Sequence, residues 1–193
     1  MTHTTPRRHQ GGNETTMIRC VFFDRDGVIN ESPGAGQYVE RWADFHLIPD
    51  FVDVLRLVRS LGYEAVVVTN QRGIALGRMS RETVEDLHRR MRQQLRAACG
   101  LDLLDVLYCP HDVGQCDCRK PKPGMLREAA RRHGIALAAS WVVGDAETDV
   151  QAGAAAGCHT IRVAPAGTPT CAQHRVADLA ELRSRIAKLL PSA

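Results

Sequence analysis

A parallel β-sheet covered by helices on both faces is the architecture this sequence predicts, on three observations. Several short segments are apolar without alternation, as expected of strands buried on both sides. Longer segments between them carry apolar residues at helical spacing. The two kinds alternate along the chain, which is the pattern of an α/β fold. With 193 residues, 44% hydrophobic and 24% charged, the chain is long enough for one domain with its own core. The same composition excludes wholesale disorder. No stretch reaches the roughly 18 uninterrupted apolar residues of a membrane helix. A formal net charge of +3 and 5% aromatic residues give no support to a nucleic-acid partner.

Residues 1–16 are polar and are expected to form a disordered tail, leaving 17–193 as the folded domain, with Met17 as an alternative start. Ile18–Phe23 is the first strand, ending at Asp24. Asp50–Ser60 places Phe51, Val54, Leu55 and Val58 on one helical face and stops at Gly62. Ala65–Val68 is the second strand, followed by Thr69-Asn70. Ser80 is the N-cap of a helix with Val84, Leu87, Met91 and Leu95 in line. Val106–Tyr108 reads as the third strand. Pro123 opens a helix through Met125, Leu126 and Ala129 that Gly134 closes. Trp141–Val143 is the fourth strand, ending in Gly144-Asp145. Thr148–Ala156 is a helix of small residues, His159–Val163 the fifth strand, Ala164–Thr170 a loop and Ala177–Leu190 the last helix. The sum is a Rossmann-like three-layer sandwich.

In such a sheet, ligands bind beyond the carboxyl ends of the strands. The sequence puts Asp24-Arg25-Asp26-Gly27 there, then Thr69-Asn70-Gln71, then the segment leading to Arg119-Lys120, then Gly144-Asp145. Three carboxylates, a hydroxyl, an amide and a lysine on one edge suit Mg²⁺ and a phosphoryl group. Hard oxygen ligands match Mg²⁺, and lysine offsets phosphate charge. A carboxylate can also attack phosphorus.

Four motifs resemble those of the haloacid dehalogenase (HAD) superfamily of phosphatases, in the right order. They are FFDRDGVIN at 22–30, VVVTNQ at 66–71, CRKPKPGM at 118–125 and VVGDAETD at 142–149. The resemblance implies Asp24 as nucleophile and Asp26 as general acid and base. It implies Mg²⁺ held by the Asp24 carboxylate, the Asp26 carbonyl and Asp145, with Thr69 and Lys120 on the phosphoryl oxygens. Asp149 either positions the metal's water shell or caps the following helix. Substrate-binding candidates are Asn70, Gln71, Arg72, Arg119 and Lys120. Arg72 and Arg119 are the cations for a second phosphate or for hydroxyls, and a plain surface arginine is the alternative for Arg72.

Seven cysteines, an odd number, argue against a disulfide framework and for a reduced, cytoplasmic protein. Cys109, His111, Cys116 and Cys118 form Cys-x-His-x₄-Cys-x-Cys, a closed tetrahedral set for structural Zn²⁺. The alternative is a chance cluster of thiols or a redox pair. Zinc would rigidify the 109–118 loop that presents Arg119 and Lys120. Within the superfamily, CPH…CDCRKP resembles both the heptose 1,7-bisphosphate 7-phosphatases and the histidinol-phosphate phosphatases. DRDGVIN, TNQRGIALG and RKPKPGM are closer to the former, and the four-residue spacer from His111 to Cys116 to the latter. Ala146 departs from the heptose enzymes, which often carry a substrate-contacting lysine after the fourth-motif aspartate.

Glu31–Pro49 and the interval from Gly77 to Leu101 are too short for a large cap domain. The site should be open, roofed by Ser32–Tyr38 and by the zinc loop. The expectation is a monomeric phosphomonoesterase acting on a small phosphorylated sugar, with no nucleic-acid or membrane partner. A catalytically silent zinc module and a phospho-acceptor receiver domain are the competing classes. The intact Asp24, Asp26, Lys120 and Asp145 and the lack of a concentrated basic stripe argue against the first, and the second needs neither a second catalytic aspartate like Asp26 nor the zinc loop.

Overall fold

The computed structural model describes residues 17–34 and 36–191. The proposed tail at 1–16 lies outside them. Six strands form one parallel sheet in the order β3-β2-β1-β4-β5-β6. They are β1 (Cys20–Phe23), β2 (Glu64–Asn70), β3 (Asp105–Cys109), β4 (Trp141–Gly144), β5 (His159–Val163) and β6 (His174–Val176). Four α-helices connect strands, α1 (Pro49–Ser60), α2 (Arg81–Cys99), α3 (Gly124–His133) and α4 (Glu147–Ala156), and α5 (Leu179–Leu189) follows β6.

The continuous apolar character of β1 has a direct structural meaning. Val21 and Phe23 point into a core shared with α1, α2 and α5, and Cys20 and Phe22 into a second core under α3 and α4. All four are fully buried, so the period-2 side-chain geometry feeds both faces at once. Phe23 meets Phe51 of α1 edge-on at 5.1 Å between ring centroids, which ties the first strand to the first helix.

Expected boundaries hold within two residues. Ser80 caps α2 by accepting from the Thr83 N–H, and Gly134 ends α3 in the left-handed conformation. Pro49 stands in the first turn of α1, one residue earlier than expected. Pro123 is the N-cap of α3 and not its first helical residue. The last helix starts at Leu179, because Asp178 accepts from the Glu181 N–H and so terminates the preceding strand region. The sixth strand was not expected. It is three residues long at the sheet edge and carries His174 and Arg175, which give no apolar run to read. Among the described residues, no helix is long and apolar enough to cross a membrane.

Candidate active site

The ends of β1, β2 and β4 meet at one edge of the sheet, where a cavity of about 210 Å³ opens. Asp24, Asp26, Asn70, Lys120, Asp145 and Asp149 line it together with Ser32, Pro33, Gly34, Gln37 and Tyr38. The Ser32–Tyr38 loop therefore contributes to the opening as expected. Residues 109–118, the cysteine loop, do not line this cavity, which corrects the expectation that this loop roofs the site.

Asp24 leaves β1 with its N–H bonded to the Val143 carbonyl of β4 at 2.9 Å, so the two acidic strand ends stay side by side. The chain then turns sharply, with Gly27 at φ +84°. A Cβ at Gly27 would fall on the Asp145 carboxylate, so only glycine permits this approach. Carboxylate oxygens of Asp24, Asp145 and Asp149 gather within 4.8 Å of one another. The Lys120 ammonium, almost fully buried, sits 2.6 Å from both Asp24 Oδ1 and Asp149 Oδ1. It also donates to the Val68 carbonyl at 2.7 Å.

This pocket carries more negative charge than it compensates. Four carboxylates (Asp24, Asp26, Asp145, Asp149) face two cations, Lys120 and Arg25. Burial, together with the charges of Asp149 and Asp26, holds the Asp24 carboxyl up at about 7, against the pull of Lys120. Burial and Asp149 raise Asp145 to about 6. Burial disfavours the Lys120 charge, but Asp149 and Asp24 outweigh it and the ammonium is held more firmly than usual. Uncompensated, closely set carboxylate oxygens are the donor set of a hard divalent cation, so the residues fit Mg²⁺.

Asp26 is pinned from behind. Arg25, fully buried, donates to Asp26 Oδ1 through Nε at 3.1 Å and to both carboxylate oxygens through Nη2 at 2.9 and 2.8 Å. Asn30 donates to Oδ1 at 2.9 Å and Gln71 to Oδ2 at 3.3 Å. Behind Arg25 stands His88 of α2, with Nε2 3.3 Å from Arg25 Nη1. An arginine cannot accept, so His88 Nε2 accepts and the ring is neutral. Burial and the Arg25 charge agree, lowering the His88 pKa to about 3. Sequence reasoning passed over both residues. Arg25 lay between two catalytic candidates, and His88 lay beside an apolar helical stripe. Arg25→Lys should keep the charge but lose the planar fork, and kcat should fall about 10–100-fold with little change in KM. Steady-state kinetics beside a thermal melt checks this.

The residues after β2 divide differently from the sequence reading. Asn70 lines the cavity, yet both ends of its amide are committed to Lys120: Nδ2 donates to the Lys120 carbonyl, and Oδ1 accepts from the Lys120 N–H, each at 3.1 Å. Asn70 thus positions the lysine. Thr69 and Gln71 are buried and do not line the cavity. Gln71 folds back between Asp26 and Thr69, donating to Thr69 Oγ1 at 2.9 Å. Gln71 is therefore corrected from substrate ligand to internal support. Arg72 and Arg119 do not line the cavity either. Arg72 Nε pairs with Asp112 of the cysteine loop at 2.5 Å, and Arg119 Nη1 is buried without a hydrogen-bond partner. Asp149 receives the Ala146 N–H at 3.0 Å, so it caps α4 and also holds Lys120.

The second cluster lies just past β3. Cys109, Cys116 and Cys118 bring their sulfurs to 3.2–3.4 Å of one another. His111 Nδ1 stands 3.3 Å from Cys118 Sγ and 3.7 Å from Cys109 Sγ. A tetrahedron with metal–sulfur bonds of about 2.3 Å has edges near 3.7 Å, only a few tenths of an ångström wider. Burial and the adjoining sulfurs push the Cys118 thiol up, as expected for thiols crowded without a counter-charge. The donors fit Zn²⁺ and leave no fifth side chain. All seven cysteines are free of disulfides.

A family model described as HAD-hydrolase-like matches residues 117–187. The D-glycero-alpha-D-manno-heptose-1,7-bisphosphate 7-phosphatase of Photorhabdus laumondii is 35% identical over 181 residues, covering 90% of this chain and 97% of its own. The D-glycero-beta-D-manno-heptose-1,7-bisphosphate 7-phosphatase of Salmonella typhi is 40% identical over 185 residues, covering 89% and 96%. Among solved structures, the D,D-heptose 1,7-bisphosphate phosphatase of B. bronchiseptica, complexed with magnesium and phosphate, superposes with a TM-score of 0.77 at 31% identity. That match covers 89% of this chain and 99% of the other.

Proposed function

Since the chain belongs to the HAD-like phosphatases, in the family of heptose 1,7-bisphosphate 7-phosphatases, we propose that it removes the 7-phosphate of D-glycero-D-manno-heptose 1,7-bisphosphate with Asp24 as nucleophile. The observation that carries the reading is the buried Asp24–Lys120–Asp149 chain at the cavity floor, with Asp26 and Asp145 beside it. Histidinol phosphate, the alternative substrate, has no counterpart among the relatives described above.

Asp24 attacks the phosphorus, and the bond to the sugar oxygen breaks. Asp26, as the acid, gives that oxygen its proton. Asp26, now the base, takes a proton from water, and the water oxygen attacks the aspartyl-phosphate to release inorganic phosphate and free Asp24. Lys120 holds phosphoryl oxygens and offsets their charge. Arg25, Asn30 and Gln71 keep Asp26 aimed at the cavity. Thr69 Oγ1 accepts from Gln71, which leaves its own O–H free to donate to a phosphoryl oxygen. Mg²⁺ would be held by the carboxylates of Asp24 and Asp145 and the Asp26 carbonyl, where it would supply a Lewis acid for the phosphoryl oxygens. Purified protein with Mg²⁺ should release phosphate from either anomer of the heptose bisphosphate faster than from histidinol phosphate or fructose 1,6-bisphosphate. The reverse order would defeat the substrate assignment.

Structural zinc at Cys109, His111, Cys116 and Cys118 belongs to the same reading. It would stiffen the loop that precedes Lys120, and Asp112–Arg72 would pass that stiffness to the segment after β2. Cys116→Ser should lower bound zinc from one ion per chain and reduce kcat about 10²-fold, the scale of a lysine misplaced by about 1 Å. Metal analysis and kinetics on one sample check it. Normal turnover by zinc-free protein would count against the role. Free thiols throughout suit a reducing, cytoplasmic setting, and we read the enzyme as a monomer with a small-molecule substrate.

A further inference from the structure

Asp26 is held by Arg25, Asn30 and Gln71, and among the described residues only Arg25 touches both of its carboxylate oxygens. Arg25 does so through Nε and Nη2, which leaves Nη1 as the third corner of a planar, fully buried group. The Arg25 backbone is fixed, its carbonyl accepting from the N–H groups of Val28, Ile29 and Asn30 at 3.3, 2.8 and 3.1 Å. The guanidinium can still turn about its Cδ–Nε bond, and that turn would carry Nη2 away from Asp26. What opposes it is the acceptor at Nη1, His88 Nε2 at 3.3 Å.

His88 stands on the buried face of α2, in line with Val84, Met91 and Leu95. A polar ring there is costly without a partner, so packing alone would favour an apolar side chain. The ring is itself held in place. It lies 5.6 Å from the Tyr108 ring of β3, and the Tyr108 O–H donates to Glu85 of α2 at 2.9 Å. Because Nε2 accepts, the ring proton is on Nδ1. That proton is not shut in the core, since His88 also lines a second cavity of about 510 Å³ between α2 and β3. A neutral acceptor has a further consequence. A carboxylate at this position would compete with Asp26 for Arg25, whereas an imidazole satisfies Nη1 and leaves the guanidinium charge to Asp26.

Resting on the phosphatase reading above, we propose that His88 is a positioning residue for the acid–base step, acting through Arg25 to hold the Asp26 carboxyl toward the cavity. His88 does not line the active-site cavity. Its effect therefore falls on proton transfer to the leaving oxygen and not on substrate binding. Phosphoryl transfer from a substrate whose leaving group needs no proton is then largely insensitive to it.

The test compares His88→Leu, which fills much of the ring's space without an acceptor, with His88→Gln, which returns an amide oxygen. With the heptose bisphosphate and Mg²⁺, His88→Leu should lose about 10–100-fold in kcat while KM changes less than about threefold. His88→Gln should keep kcat within about fivefold of wild type, because the acceptor is restored. In a single turnover of para-nitrophenyl phosphate, nitrophenolate release by His88→Leu should stay within about threefold of wild type, since that oxygen leaves without a proton. Thermal melts check folding, and His88→Met takes the place of His88→Leu if that variant does not fold. A leucine or methionine variant as active as the glutamine variant would make His88 a packing residue only and overturn the proposal. Equal losses on the two substrates would overturn it as well. Phosphate release from neither compound by the wild type would instead defeat the phosphatase reading itself.

Discussion

Asp24→Asn should cut phosphate release by about 10⁴-fold or more while the protein stays folded. The amide is nearly the size of the carboxyl, and its oxygen can still accept from the Lys120 ammonium that now sits 2.6 Å away. The fold should not suffer, because the native carboxylate is itself under electrostatic stress. Burial and the neighbouring acids hold Asp24 up at about 7, so a neutral group relieves repulsion with Asp149 and Asp26. What the amide lacks is an oxygen nucleophile. A thermal melt in chelator, run beside a phosphate assay with Mg²⁺, separates the two effects. A folded variant that turns over near the wild-type rate would remove Asp24 from the mechanism.

Lys120→Met should damage both activity and stability. The side chain keeps its length, but Asp24 and Asp149 lose the ammonium that each meets at 2.6 Å. Removing one partner of a buried ion pair typically costs about 3–5 kcal/mol, because the remaining charge is left uncompensated. Phosphoryl oxygens lose a fixed cation as well, a loss of roughly 10²–10³ in kcat. The pH dependence has a definite sign. Asp24, held up at about 7 even with Lys120 beside it, has a folded pKa raised above that of the unfolded chain, so it binds a proton more readily when folded. Stability is therefore regained at low pH and lost as pH rises through the raised value, and the gap from wild type should be smaller near about pH 5 than near about pH 8. Denaturant melts at the two pH values check this. Equal stability to wild type at high pH would show that Lys120 does not balance the two acids.

The parallel sheet and the acidic edge were legible because their signals are local. A β-branched run such as Val66–Val68 reads as a strand covered on both sides, and Asp24 and Asp145 stand at the ends of such runs. The cysteine cluster was legible for the same reason, its donors lying within ten residues of sequence. The supports of the site were not, because they depend on pairings far apart in the chain. The Arg25–His88 contact joins residues 63 apart, and the clasp of Asn70 on Lys120 joins residues 50 apart. Nothing in the sequence marks a helical histidine as the acceptor for a buried guanidinium. Gln71 looked like a substrate ligand because it follows a strand. The backward fold of Gln71 onto Asp26 joins residues 45 apart and has no local signal. Arg72 read either as a substrate cation or as a plain surface arginine, and its partner Asp112 lies 40 residues on.

The central claim is that Asp24 itself takes the phosphoryl group. A single-turnover rapid quench with substrate labelled at the phosphate, followed by peptide mapping of the acid-stopped protein, tests it most directly. The account predicts transient label on the peptide that contains Asp24, rising before free phosphate appears and absent from Asp24→Asn. Phosphate release in step with substrate loss, with no label on the chain or with label on a peptide lacking Asp24, would contradict it.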